Sequence, residues 1–275
     1  MSNTSNTTNT NKIFYSQVFD TWNNEATYYW DGFYILYPII EQLLVSTGKT
    51  HFRILDVGCA NGRWFNFIEM CFPEYTFEKI GIDLVDFKSI HGLVNDFDFK
   101  VVNIEDSDEM DKFVDTAGYF DIITLFGVYH HIQGREVRQT ITKKLSTILN
   151  YEGRYIFTRW NFLKMNRLRN HILYPNDLEQ LADCNNSVGN YNNSNENTIP
   201  KIDYLKWEKG DYYLKWDKSK FGIRYANMLD NIEIAGMLYN SILSCRYTFD
   251  SDDKQNNRNS YYVCKKGIDL KNPNK

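Results

Sequence analysis

The chain has 275 residues, enough to bury a full hydrophobic core, and its 43% hydrophobic and 24% charged content is that of a globular protein. A net charge of −4 excludes a globally basic nucleic-acid binder, though not a local basic face. The five cysteines (59, 71, 184, 245, 264) are scattered, form no Cys-x-x-Cys pair and have no histidine at metal spacing, so free thiols and no metal site are expected.

Residues 1–12 are rich in Asn, Thr and Ser and read as a disordered tail, with residues 13–275 as a single domain. No apolar run approaches a membrane span and the N-terminus has no apolar signal core, so a soluble, cytoplasmic protein without a membrane partner is expected. The oligomeric state is not legible. Tyr15 to Trp30 is dense in aromatics, which suits either a helix packed on a sheet or a lid over a ligand. Leu36, Ile39, Ile40, Leu43 and Leu44 then repeat at helical spacing.

Phe52 to Val57 reads as a short buried strand ending in Asp56-Val57-Gly58-Cys59-Ala60-Asn61-Gly62. Gly58 and Gly62 allow a tight turn and let a ligand approach without a Cβ in the way. Trp64, Phe65, Phe67, Ile68 and Met70 open a helix. The turn lacks G-x-G-x-x-G spacing, and no Gly-Lys-Ser/Thr follows to hold phosphates. An acid in such a turn disfavours a pyrophosphate and favours a cationic amino-acid moiety, which S-adenosylmethionine has. About twenty residues on, Lys79 to Leu84 reads as a second strand ending in Asp83, the distance at which a carboxylate meets a ribose diol.

A third strand, Phe99 to Val102, ends in Asn103-Ile104-Glu105-Asp106, and a fourth, Phe120 to Phe126, leads into Gly127 and Tyr129-His130-His131. Helical patterns fall near 61–72, 107–116 and 134–149, and Gly153 opens a fifth strand, Arg154 to Thr158. Asn231 to Asn240 reads as a last helix, and 242–249 with 260–265 as a closing hairpin. The alternation predicts an α/β fold: a doubly wound, Rossmann-like seven-stranded sheet with helices on both faces and a closing antiparallel hairpin. Residues 161–229 interrupt the pattern and read as a substrate-side insertion, with an Asn-rich loop at 183–198. Around that loop, Arg159, Lys164, Arg167 and Arg169, then Trp207 to Trp216, interleave cations with aromatics, as a solvated face or an RNA-binding surface would.

These strands and turns resemble the class I S-adenosylmethionine-dependent methyltransferases. His130-His131, Arg135 and Arg138, Trp160-Asn161-Phe162-Leu163 with Arg167-Leu168-Arg169, and Gly210 to Trp216 leading into Ile223-Arg224-Tyr225 resemble the branch of tRNA wobble-uridine carboxymethyl methyltransferases and their bacterial-type relatives. That resemblance implies S-adenosylmethionine as cofactor, with Asp56, Gly58, Cys59, Ala60 and Gly62 on its methionine side. It implies Asp83 at the ribose, Leu84 and Ile104 about the adenine, Asn103 at the adenine edge, and Leu125 and Phe126 beside the sulfonium. His130 would lie near the transferred methyl. Arg159, Trp160, Asn161, Arg167, Arg169, Asp211, Tyr212 and Tyr225 would face the acceptor. tRNA or another RNA, and the small zinc-binding activator subunit of the eukaryotic members, are the partners it implies.

Two positions depart from the family pattern. Ala60 replaces the middle glycine, which is harmless if its φ is negative. Asn103 replaces an aspartate, but its amide oxygen can still accept from adenine. A carboxylate acceptor is ionised at pH 7 and needs only a cation, for which Arg224, Arg159 or Arg167 qualifies. An amine or phenol acceptor, as in a small-molecule O- or N-methyltransferase, would need a base such as His130 or His131. A non-catalytic protein that kept the fold is the third alternative.

Overall fold

The computed structural model describes residues 29–87, 96–173, 207–215, 223–252 and 258–267; of Arg167 only the main chain is described. Helix α1 (Asp31–Thr47) leads into β1 (His51–Val57), α2 (Arg63–Cys71), β2 (Thr76–Asp83) and β3 (Asp98–Val101). Then come α3 (Ser107–Ala117), β4 (Phe120–Leu125), a 3₁₀ turn at Tyr129–His131, α4 (Arg135–Thr147) and β5 (Leu149–Trp160). After two short helical turns, strands β6 (Ile172–Leu173), β7 (Asp211–Lys215) and β8 (Ile223–Asn227) precede α5 (Asn231–Asn240). Strands β9 (Leu243–Ser251) and β10 (Asn259–Lys266) finish the fold.

The main sheet has seven strands in the order β3-β2-β1-β4-β5-β10-β9. The first five run parallel, and β10 enters antiparallel between β5 and β9. Because strand side chains alternate, β1 sends Leu55 and Val57 to one face and Phe52 and Ile54 to the other. The first face is covered by Met110 and Phe113 of α3, Ile141 and Leu145 of α4, and Ile234 and Met237 of α5. The second is covered by Leu36 and Leu43 of α1 and Phe65 and Ile68 of α2. This is the doubly wound sheet with a closing hairpin that the alternation predicts.

Two expectations are corrected here. Gly153 does not open β5. The strand starts at Leu149, and the register with β4 shifts between Phe120 and Ile122. A Cβ on Gly153 would come within 2.8 Å of Asp121 O, so the glycine serves the irregularity inside the strand. Residues 161–229 also carry more order than an interruption of the pattern suggests. Strands β6, β7 and β8 form a separate antiparallel sheet, packed through Leu214 and Ala226 on Trp160 and Phe162. These strands are of 2, 5 and 5 residues, too short for a persistent alternation to stand out. The N-terminal tail, most of the aromatic stretch 15–30 and the Asn-rich loop 183–198 lie outside the described residues. Among the described residues no helix is long and apolar enough to cross a membrane, and no group of three or more His, Cys, Asp or Glu could hold a metal ion.

Candidate active site

The carboxyl ends of β1, β2 and β4 and the residues just past β3 open onto one cavity of about 320 Å³. Its floor is the β1–α2 turn, which is tied to the neighbouring strand: Gly58 N–H and Cys59 N–H both donate to Ile82 O, at 2.7 and 3.2 Å. Gly58 and Gly62 have φ of +71° and +87°, which explains their type. Gly58 lines the cavity and Gly62 does not, and the Cβ direction of each is filled by protein. A Cβ at Gly58 would meet Val128 Cγ2 at 2.5 Å and one at Gly62 would meet Phe97 Cε1 at 2.4 Å. Both glycines serve the turn and its packing, and the main chain of Gly58 also faces the cavity. Ala60 has φ +47°, so the residue in the middle-glycine position occupies the left-handed region, and the negative φ that would make the alanine harmless is not found.

Asp56 and Asp83 both line the cavity. Thr124 Oγ1 donates to Asp56 Oδ1 at 2.6 Å, and Ala60 N–H and Val85 N–H donate to Asp83 at 3.0 and 3.1 Å. Burial pushes the Asp56 carboxyl up to about 7, helped by the neighbouring Asp83 and opposed by the Thr124 bond and Arg63. Burial likewise pushes Asp83 up to about 6 against its backbone donors. Two adjacent acids held near neutrality form a site that a cation completes. Leu84, Asn103 and Ile104 line the same cavity. Asn103 Oδ1 accepts from Glu105 N–H at 3.1 Å, which leaves the oxygen a second lone pair for a ligand amine.

Past β4, Phe126 and Gly127 line the cavity and lead to the histidine turn. His130 is buried and stacks 4.9 Å from Trp160, the last residue of β5. The guanidinium of Arg224 of β8, 5% exposed, lies over the Trp160 ring, 4.3 Å from its centroid. His131 is hydrogen-bonded to the main chain of Tyr225. Burial first, then the charges of His131 and Arg224, holds His130 well below the usual imidazole range. Burial and Arg224 take His131 down to about 3. Both rings are therefore neutral at physiological pH, and His130 Nδ1 is buried without a hydrogen-bond partner.

Not every residue picked from the sequence faces this cavity. Leu125 points into the α3/α4 face of the core, because β4 alternates and Phe126 takes the cavity side. Arg159 points away too, donating to Asn231 Oδ1 at 2.7 Å and Ser260 Oγ at 3.2 Å. Asn161 is buried and donates to Ser260 Oγ at 2.9 Å. Asp211 accepts from Tyr225 OH and Asn227 Nδ2, both at 2.6 Å, so Asp211 and Tyr225 brace the second sheet. Tyr212 packs edge-on to Phe162, and exposed Arg169 bonds to Asn166 of its own turn. Of the three candidate clamps, Arg224 lines the cavity, Arg159 does not, and the Arg167 side chain lies outside the described residues.

The structure adds lining residues that the sequence pattern did not single out. Arg63 stands at the start of α2 with its guanidinium 5.6 Å from the Trp30 ring. Trp30, which ends the aromatic stretch read from the sequence as a packed helix or a lid, also lines the cavity and meets Phe126 edge-on at 6.3 Å. Asp252, Arg258 and Asn259 come from the mouth of the β9–β10 hairpin. Arg63 was within reach as the cation directly after Gly62. The hairpin residues carried no sequence signal, since only the antiparallel pairing of β10 on β5 brings them here.

A methyltransferase-domain family model matches residues 31–184, more than half of the chain. The chain belongs to the methyltransferase-domain family. No curated protein sequence matches it. Among solved structures, this methyltransferase is similar to an S-adenosylmethionine-dependent methyltransferase from Clostridium acetobutylicum, at 15% identity and TM-score 0.53 over 91% of this chain and 96% of that one. It is also similar to magnesium protoporphyrin IX methyltransferase from Synechocystis with bound cofactor, at 10% identity and TM-score 0.53 over 96% and 98%. An amino pentose methyltransferase from Micromonospora echinaspora gives 13% identity and TM-score 0.51 over 91% and 97%. These likenesses are of fold. The methyltransferase is an S-adenosylmethionine-dependent enzyme, and the paired near-neutral acids of its cavity fit a ligand that carries an ammonium and a sulfonium.

Proposed function

We propose that this methyltransferase esterifies a carboxylate. The observation that carries the reading is the cluster of Arg224, Trp160 and His130 lining the same cavity as the two acids. S-adenosylmethionine supplies an electrophilic methyl on a sulfonium when bound. In our reading Asp56 receives its ammonium end, Asp83 its ribose hydroxyls, and Leu84, Asn103 and Ile104 its adenine, while Phe126 and Val128 wall the sulfonium side. Arg63, at the start of α2, suits the methionine carboxylate.

The chain then has to place the acceptor in line behind the methyl, and such positioning supplies about 7–11 kcal/mol of barrier reduction. His130 and His131 are poor bases here, because burial and Arg224 disfavour their protonated forms. An acceptor that must lose a proton is therefore badly served. A carboxylate arrives ionised, and the Arg224 guanidinium can hold one oxygen while the other attacks. His130, neutral, can donate a hydrogen bond to the same group.

The resemblance to the wobble-uridine branch supplies one such acceptor, the carboxymethyl group of a tRNA uridine, with the zinc-binding activator as a partner. A second reading, a small-molecule carboxylic acid, is supported by the charge pairing of the basic residues. Arg135 meets Asp230 and Glu233, Arg138 meets Glu208 and Glu233, and Lys164 meets Asp250, so several cations that an RNA backbone would use are already engaged. The test is labelled methyl transfer to hypomodified tRNA, with and without the activator, and to a small-molecule extract. In either fraction the incorporated label should leave as methanol in mild alkali, as a methyl ester does. An alkali-stable methyl would defeat the carboxylate reading, and its appearance in tRNA or in the extract decides between the two acceptors.

A further inference from the structure

The cavity is lined by the acids Asp56, Asp83, Glu105 and Asp252 and by the cations Arg63, Arg224 and Arg258. Asp56 and Asp83 lie on the turn and β2 side, while Arg224 and Arg258 reach the cavity from β8 and from the residue before β10. Arg258 main chain is fixed beside the acceptor wall: its carbonyl accepts from Asn161 N–H at 2.8 Å, next to Trp160. Its side chain is half-buried and makes no hydrogen bond, ion pair or ring contact among the described residues.

Of the other cations lining the cavity, Arg63 and Arg224 each lie over an indole ring. Lys49, Arg53, Lys79, Arg138, Lys144 and Lys265 each meet an acid. The acid nearest Arg258 in sequence among the described residues, Asp252, is turned elsewhere. Its φ is +81°, and its carboxylate accepts from Gly32 N–H at 2.8 Å, Asn259 Nδ2 at 2.8 Å and Tyr261 OH at 2.5 Å. One donor comes from the start of α1 and two from β10, and Asp252 makes no ion pair with Arg258. A guanidinium that lines a cavity with no acid paired to it among the described residues suits an anion that comes with the ligand.

We propose that the acceptor is a dianion: the carboxylate to be methylated is held at Arg224, and a second anionic group, carboxylate or phosphate, is held at Arg258. This rests on the carboxylate reading above and adds the substrate class. It also states a specificity: an acceptor with a single carboxylate forgoes one charge-assisted contact and binds about tenfold or more weakly.

The experiment is calorimetry on the full chain saturated with S-adenosylhomocysteine, the demethylated cofactor. The probes are the dicarboxylates from malonate to adipate, monocarboxylates of the same chain lengths, and 3-phosphonopropionate. At least one dianion should bind about tenfold or more tightly than its monocarboxylate. Arg258→Gln should remove that advantage while leaving the monocarboxylates unchanged, and Arg224→Gln should weaken both series. A preference confined to 3-phosphonopropionate identifies the second group as a phosphate; one shared with a dicarboxylate identifies a general anion subsite. Equal binding of mono- and dianions, or a preference that survives in Arg258→Gln, overturns the second subsite and leaves the carboxylate reading standing. Absence of binding in both series, or monocarboxylate binding indifferent to Arg224→Gln, overturns the carboxylate reading and the dianion with it. Thermal melting of each variant separates loss of the subsite from loss of the fold.

Discussion

The Arg224 guanidinium lies 4.3 Å from the centroid of Trp160, and through that stack the three-stranded sheet reaches the methyl-donor cavity. Trp160 ends β5 of the main sheet, and Arg224 belongs to β8 of the smaller one. The indole fixes the direction of the charge while burial keeps water from screening it. A short strand with no catalytic signature thus delivers the charge proposed to hold the acceptor.

Arg224→Gln should leave S-adenosylmethionine binding unchanged and lower turnover by about 10- to 100-fold, the worth of one charge-assisted bond. Arg224→Lys should recover little, because an ammonium cannot reproduce the planar fork or the stack on Trp160. Titration of the cofactor beside initial rates on the acceptor checks this. Turnover unchanged in Arg224→Gln would end the clamp idea.

Cofactor affinity should depend on pH. Asp56 and Asp83 are raised from 3.8 to about 7 and about 6. The cofactor-free native protein therefore binds more protons than the unfolded chain between these values. The stability these groups contribute is fully present below the unfolded pKa and is lost as pH rises through about 6 and then about 7. A cationic ligand favours the ionised acids, so affinity should rise across the same window and level off above it. Asp56→Asn should flatten most of the rise and make the empty protein less sensitive to alkaline pH. An affinity that is flat across this window in the unmodified protein would contradict the raised acids.

Ala60→Gly should stabilise the fold. At φ +47° the alanine carries a left-handed penalty of about 1–2 kcal/mol, from which the greater freedom of glycine in the unfolded chain subtracts about 0.4–1. A net gain near 1 kcal/mol would raise the melting temperature by about 2–4 °C in a chain of this size. Melting without cofactor checks it. A lower melting temperature would mean that the turn does not rest in this conformation.

Arg138 joins three parts of the fold. It donates to Glu233 Oε1 of α5 and to Ile132 O after the histidine turn, both at 2.5 Å, and to Glu208 Oε2 before β7 at 3.1 Å. Glu233→Gln leaves that buried guanidinium under-compensated and should cost about 3–5 kcal/mol. Replacing both residues, Arg138→Met with Glu233→Leu, should cost less. Chemical denaturation of the two variants decides whether the pair is destabilising to break, as argued, or merely incidental.

Much of this protein is readable from local pattern. Apolar runs that carry Asp56 and Asp83 at their ends, 27 residues apart, mark two parallel strands, and helical spacing marks α5 at its observed bounds. Hydrophobic period and turn chemistry act over a few residues, so the sheet core and the cofactor-side acids follow from them. The sign of φ at Ala60 does not, because the left-handed turn is imposed by bonds from Gly58 and Cys59 to a neighbouring strand. Nor does the inward direction of Phe126 rather than Leu125, or the outward turn of Arg159 toward Ser260, which alternation and strand pairing set together.

The acceptor side belongs to the tertiary structure altogether. His130, Trp160 and Arg224 lie on three separate elements and Arg258 just before a fourth, with no spacing to link them in the sequence. Antiparallel pairing of β10 on β5 and packing of the small sheet on Trp160 bring them to one wall. The chain by itself determined a parallel sheet with two acids at its edge, because strand periodicity and turn chemistry are local. Which cations meet those acids across the cavity was decided only by long-range packing, which no short window of sequence contains.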